Sequence, residues 1–173
     1  MSQTILFLDI DGVLNHRHTV RVPGMPFTCD PVNVRCLNTL IAQSGAGIII
    51  TSDWRRWLAW EDLCAVLGAF GVCGPFIGRT PVVLQDYPLS PRPPRGHEVD
   101  VWLQQQRFTA PYLILDDRGD LEPHLHRLIQ THPDTGLMEE HIERAMRLLS
   151  GATEPLVETK SSSLWQNVRD EEL

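Results

Sequence analysis

The chain has 173 residues, of which 42% are hydrophobic and 21% charged, and its formal net charge is -7 at pH 7. That length suits one domain around one core, and the composition excludes a chain disordered throughout. The acidic balance excludes a general electrostatic footprint for nucleic acid and leaves room only for local basic patches.

Residues 1–4, MSQT, carry no positive n-region, and the ILFL run after them is too short for a signal-peptide core or a membrane span. The expectation is a soluble protein of the cytoplasm, with no membrane partner. Residues 4–8, TILFL, stop abruptly in DIDG, the pattern of a buried parallel strand that delivers acids to its C-terminal end. Residues 16–29 mix Pro, Gly and His without a period and read as a flap or small hairpin. Asp30 and Pro31 supply an N-cap and a first-turn proline for a helix bearing Val34, Leu37, Leu40 and Ile41, which Gly45 stops. Residues 46–51, AGIIIT, form a second buried strand ending in small polar groups. Residues 57–71 read as a helix closed by Gly71; Trp54, Trp57 and Trp60 offer rings for base stacking, but the helical spacing of Trp57 and Trp60 favours core packing. Residues 74–94 are rich in Gly and Pro and read as irregular, with a short strand at Val82–Leu84. Residues 96–106 predict a helix with Val99, Trp102 and Leu103 on one face. Residues 111–117, PYLILDD, are a third apolar run ending in acids, and residues 126–131 are a weaker strand. Residues 137–150 predict an amphipathic helix that turns Ile142, Ala145, Met146 and Leu149 inward. Residues 152–173 read as a tail, flexible around Ser161–Ser163, which leaves residues 1–151 as the domain. Strands alternating with helices imply an α/β fold: a parallel sheet with helices on both faces and a ligand site beyond the carboxyl ends of its strands.

Polar groups gather at those ends. Asp9 and Asp11 follow the first strand, and two carboxylates so close repel unless a cation joins them. Hard oxygen donors suit Mg²⁺, and Asp116 and Asp117 after a later strand complete such a site. Thr51 and Ser52 end the second strand and offer hydroxyls or amides to phosphate oxygens. Arg95 opens a helix and suits the neutralisation of a transferring phosphoryl group. Gly12 permits a sharp turn beside the phosphate. Each piece alone is commonplace, since such acids often cap turns and such arginines often sit on the surface. Their order, each after a strand or opening a helix of one alternating domain, is what points to phosphoryl chemistry. His16, Arg17, His18 and Arg21, together with Arg55 and Arg56, read either as a grip on a polyanion or as ordinary surface charge. The cysteines (Cys29, Cys36, Cys64, Cys73) form no CxxC pair and read as small apolar residues.

With those residues in place, ILFLDIDGVLN resembles the first motif of the haloacid dehalogenase (HAD) superfamily. GIIITSDWR resembles the second motif, RGHEVDVWL the region of the third and YLILDDRGD the fourth, a match over residues 4–150. The LN after the first motif, the WR after the second, the RGxEV segment and TGLM near residue 136 resemble a small-cap subgroup related to the phosphatase parts of RNA-repair (polynucleotide kinase/phosphatase-like) proteins. The resemblance implies a three-layer Rossmann-like fold and a phosphatase that works through an aspartyl-phosphate. In that scheme Asp9 is the nucleophile and Asp11 the general acid and base. Asp9, the Asp11 main-chain carbonyl and Asp116 hold Mg²⁺ with support from Asp117, Thr51 binds the transferring phosphate, and Gly12, Ser52 and Arg55 serve the substrate. The third motif usually carries a lysine. The one lysine here, Lys160, comes after the fourth motif, so Arg95 is the expected substitute and Arg92 a weaker one. Neither residues 12–46 nor 53–94 are long enough for a cap domain beside the required helix, so the site is expected to be open, with a minimal cap. An open site admits bulky phosphorylated substrates such as a nucleotide, a nucleic acid end or a phosphoprotein. A phosphotransferase and a non-catalytic, receiver-like phosphate-binding module are the alternatives.

Overall fold

The computed structural model describes residues 4–21, 23–83 and 94–151. Five strands form one sheet: β1 (Ile5–Leu8), β2 (Gly47–Ile50), β3 (Phe76–Arg79), β4 (Tyr112–Asp116) and β5 (Leu128–Gln130). Their order is β3-β2-β1-β4-β5, and every pairing is parallel. β1 lies at the centre because it is apolar at all positions and buried on both faces, so it needs neighbours and helices on each side. Parallel neighbours put the carboxyl ends of β1, β2 and β4 side by side, and Asp9, Thr51 and Asp116 all occupy that edge.

The helices are α1 (Pro31–Ser44), α2 (Trp60–Ala69), α3 (Arg95–Gln106) and α4 (Glu139–Leu149). Side chains alternate along each strand and so divide the core in two. Leu6 and Leu8 of β1 pack with Leu37 and Leu40 of α1, Leu63 and Leu67 of α2, and Ile142 and Ala145 of α4. Ile5 and Phe7 face the other way, onto Val99, Trp102 and Leu103 of α3, with Phe7 and Trp102 meeting edge to face at 5.4 Å. Helices therefore cover both faces, giving the three-layer α/β architecture expected. α1 starts as its sequence indicates: the Asp30 carboxylate accepts from the Val32 amide, and Gly45 ends the helix in the left-handed conformation. Among the described residues no helix is long and apolar enough to cross a membrane.

Three local expectations change. The strand expected near Val82–Leu84 is instead β3 at Phe76–Arg79, an edge strand with alternating rather than continuous burial. Half-exposed edges have no long apolar run, so apolarity alone misses them. The helix expected from Trp57 starts at Trp60, after a 3₁₀ turn at Asp53–Arg56. Trp57 consequently lies outside the core, 76% exposed, whereas Trp60 stays packed against it. Leu84, Arg92, Lys160 and the stretch 152–173 lie outside the described residues.

Candidate active site

Beyond the ends of β1 and β4, carboxylate oxygens of Asp9, Asp116 and Asp117 all lie within 4.8 Å of one another. Asp9 follows β1 directly and is buried, and Asp116 is the last residue of β4 and is also buried. Burial raises the Asp9 pKa against the pull of Arg95. Burial first, and the Asp9 charge second, push Asp116 up to about 8, and burial raises Asp117 as well. Asp116 Oδ2 has no hydrogen-bond partner. Three crowded carboxylates in a desolvated niche, one oxygen of them unsatisfied, fit a hard divalent cation such as Mg²⁺.

Arg95 is the first residue of α3, and its guanidinium reaches back into this niche. Its Nη1 lies 3.5 Å from Asp9 Oδ1, its Nε lies 3.7 Å from Asp116 Oδ2, and Nη1 also donates to the Thr51 carbonyl. Burial opposes its charge, but Asp9 and Asp116 outweigh that cost and raise its pKa. The α3 start can approach so closely because Gly96 has no side chain: a Cβ there would sit 2.2 Å from the Glu122 carbonyl oxygen.

Thr51 follows β2 and is fully buried, and its hydroxyl has no hydrogen-bond partner. An unsatisfied buried hydroxyl is costly unless something docks against it, and a phosphate oxygen is a suitable acceptor. The Ser52 hydroxyl favours the charged form of Asp9 by hydrogen bonding and caps the Trp54 amide at 3.4 Å. Gly12 turns the chain with φ +79°, and a Cβ there would fall 2.5 Å from the Asp117 carboxyl, so both the turn and the close approach need glycine. Thr131, just after β5, ties this turn down by donating to the Gly12 carbonyl at 2.7 Å.

Two further site residues have side-chain partners of their own. The Asp11 carboxylate is exposed and is not one of the three clustered carboxylates. It accepts from the Asn15 amide at 2.8 Å and from the Trp54 indole N–H at 3.0 Å. Arg55, expected to serve the substrate, is buried behind Thr51. It donates to the Thr51, Ser52 (2.8 Å), Thr80 (3.1 Å) and Pro81 (3.5 Å) carbonyls and pairs with Glu98 at 2.6 Å. A guanidinium with its donors spent on main-chain carbonyls and a buried carboxylate has none left for a ligand. Its role is to fasten the ends of β2 and β3 to the first turn of α3. In the flap, His16 lies 3.3 Å from Asp30 and Arg17 lies 2.9 Å from Asp134, so both have partners within the fold.

Asn15, Trp54 and Glu98 were the residues missed as members of the site. The sequence marked LN, WR and RGxEV as distinctive, but Trp54 and Asp11 are 43 positions apart and so are Arg55 and Glu98. No local spacing reports such contacts.

The family model described as the HAD domain in Swiss Army Knife RNA repair proteins matches residues 5–142. The chain belongs to that HAD family. The match spans β1 to α4 and so includes each residue of the carboxylate niche. No curated protein matches the chain. Membership agrees with the fold and with a phosphatase-like module, and HAD proteins usually use Mg²⁺, which the Asp9–Asp116–Asp117 donor set suits.

Proposed function

We propose that this HAD protein is a Mg²⁺-dependent phosphomonoesterase acting through an aspartyl-phosphate on Asp9, with phosphorylated nucleotide or polynucleotide ends as its substrates. The observation that carries the reading is the convergence of Asp9, Asp116 and Asp117 within 4.8 Å, with Arg95 beside Asp9 and Asp116. An isolated carboxylate is a poor nucleophile toward an anionic phosphate, and the Arg95 charge offsets part of that repulsion. Mg²⁺ would be held by Asp9, Asp116 and the Asp11 main-chain carbonyl, with Asp117 in support, and would supply the remaining neutralisation.

In the first step an Asp9 oxygen attacks phosphorus, the bond from phosphorus to the leaving oxygen breaks, and Asp11 protonates that oxygen. In the second, water attacks the aspartyl-phosphate and gives a proton to Asp11. The bond to Asp9 breaks, releasing phosphate and restoring both acids. The Thr51 hydroxyl and the Gly12 turn hold phosphate oxygens, and Arg95 balances the charge that develops in transfer.

The nucleic-acid part of the reading rests on the family's description as a component of RNA repair proteins and on Trp57, an exposed indole one turn beyond Ser52. Base stacking on such a ring tolerates any sequence. A screen of nucleotides, sugar phosphates, phosphopeptides and 3′- or 5′-phosphorylated oligonucleotides, with Mg²⁺ or EDTA, tests it. Phosphate release that needs Mg²⁺, favours the oligonucleotides and disappears in Asp9→Asn is expected. Turnover retained by Asp9→Asn removes Asp9 as nucleophile, and transfer to added alcohols in place of hydrolysis makes the protein a phosphotransferase.

A further inference from the structure

From the contacts of Asp11 we infer that Trp54 is a positioning residue for the general acid. Its indole N–H holds the Asp11 carboxyl in place and, being a donor only, takes no proton from the acid. The inference rests on the phosphatase reading above and deepens it.

Trp54 in the 3₁₀ turn is buried, at 5% exposure, while Trp57 three residues later is 76% exposed. Its Nε1 donates to Asp11 Oδ2 at 3.0 Å. Its ring packs on Phe27 of the flap with centroids 4.7 Å apart, so the indole is fixed from both sides. The other carboxylate oxygen, Oδ1, accepts from Asn15 Nδ2 at 2.8 Å. The orientation of the Asn15 amide follows from its own network. Its oxygen accepts from the Gly12 amide at 3.1 Å, so its nitrogen must be what faces Asp11 and, at 3.1 Å, the Thr28 carbonyl.

Both of these partners of Asp11 are therefore donors. An indole N–H has no lone pair to give, and the Asn15 nitrogen is likewise donor-only. A protonated Asp11 can pass its proton to neither of them. The leaving oxygen in the first step, and water in the second, are the acceptors and donors that remain. Two donors on two oxygens also fix the carboxyl plane, which otherwise rotates freely on an exposed side chain. An exposed acid two residues from a buried nucleophile needs such a restraint to be aimed at the leaving group.

The test compares leaving groups. Trp54→Phe keeps the ring against Phe27 and deletes the N–H. Wild type and variant are assayed with Mg²⁺ on an alkyl phosphate, whose leaving oxygen needs a proton, and on p-nitrophenyl phosphate, whose leaving oxygen departs as a stable anion. kcat/KM reports the step up to release of the leaving group. The variant is expected to lose about tenfold or more in kcat/KM on the alkyl ester, on the order of one hydrogen bond to a charged group, and several-fold less on the aryl ester. In an Asp11→Asn background the same substitution should add little, because the group it positions is gone. Equal losses on the two esters, or full additivity with Asp11→Asn, overturn the inference, since a merely structural role slows every substrate alike. Trp54→Leu, which also deletes the N–H, supplies the same comparison if Trp54→Phe does not fold. Wild-type protein inactive on both esters sinks the phosphatase reading instead, and with it the role assigned to Trp54.

Discussion

Burial separates residues of the same type into different tasks. Arg95 and Arg55 are both buried arginines, yet Arg95 meets the carboxylates of Asp9 and Asp116 while Arg55 is consumed by carbonyls and Glu98. Trp54 and Trp57 share one turn, yet one is locked against Asp11 and the other is bare. Exposing a whole indole forgoes the burial that normally holds tryptophan inside, so Trp57 is a candidate platform for a base beside the phosphate. Trp57→Ala is expected to lower kcat/KM on phosphorylated oligonucleotides roughly five- to a hundredfold, the equivalent of ~1–3 kcal/mol for one stacked base. Its loss on a small sugar phosphate should be much smaller. Steady-state kinetics on the two substrates gives the answer, and equal losses would return Trp57 to the status of a surface residue.

At the scale of elements, the site depends on how α3 is anchored. Arg95 can only aim at Asp9 if the first turn of α3 stays pressed to the sheet, and the Arg55–Glu98 pair does the pressing, with Arg55 side chain 1% and Glu98 side chain 9% exposed. Burial lowers the Arg55 pKa, and the Glu98 carboxylate opposes that. Glu98→Ala leaves a buried guanidinium unpaired and is expected to cost about 3–5 kcal/mol, read as the shift in a denaturant or thermal unfolding curve. Glu98→Gln, which keeps the acceptor oxygen, should cost less. A Glu98→Ala loss below about 1 kcal/mol, within the range of surface pairs, would mean that the main-chain carbonyls hold Arg55 alone. The sequence showed α3 by its periodicity but gave no sign of this clamp. Its two charges lie on separate elements, and no local spacing links them.

Across the whole molecule, the fold forces acids from two strand ends into one niche, and stability should record it. The folded pKa of Asp116 is raised to about 8 from an ordinary 3.8, and Asp9 and Asp117 are raised too. Between those values the metal-free native state binds more protons than the unfolded chain, so stability falls as pH rises from about 4 to 8. Mg²⁺ held as proposed would bind the ionised form and reverse the effect, so its stabilisation should grow with pH and be accompanied by proton release. Thermal unfolding in EDTA and in Mg²⁺ across that range tests this. A metal-free melting temperature that climbs steadily from pH 5 to 8 would contradict the crowding of these carboxylates.

The alternation of apolar runs with amphipathic stretches determined the parallel α/β class by itself, because strands buried on both faces must be apolar throughout. The residues closing each run, Asp9, Thr51 and Asp116, were legible for the same reason: a parallel sheet brings its carboxyl ends together whatever the loops do. Tertiary structure alone decided which polar groups beyond those ends face the site. Asp11 was given to Trp54 and Asn15, Arg55 was turned inward to Glu98, and Trp57 was left outside. Contacts between elements tens of residues apart depend on how helices seat on the sheet, and no local period in the chain encodes that seating.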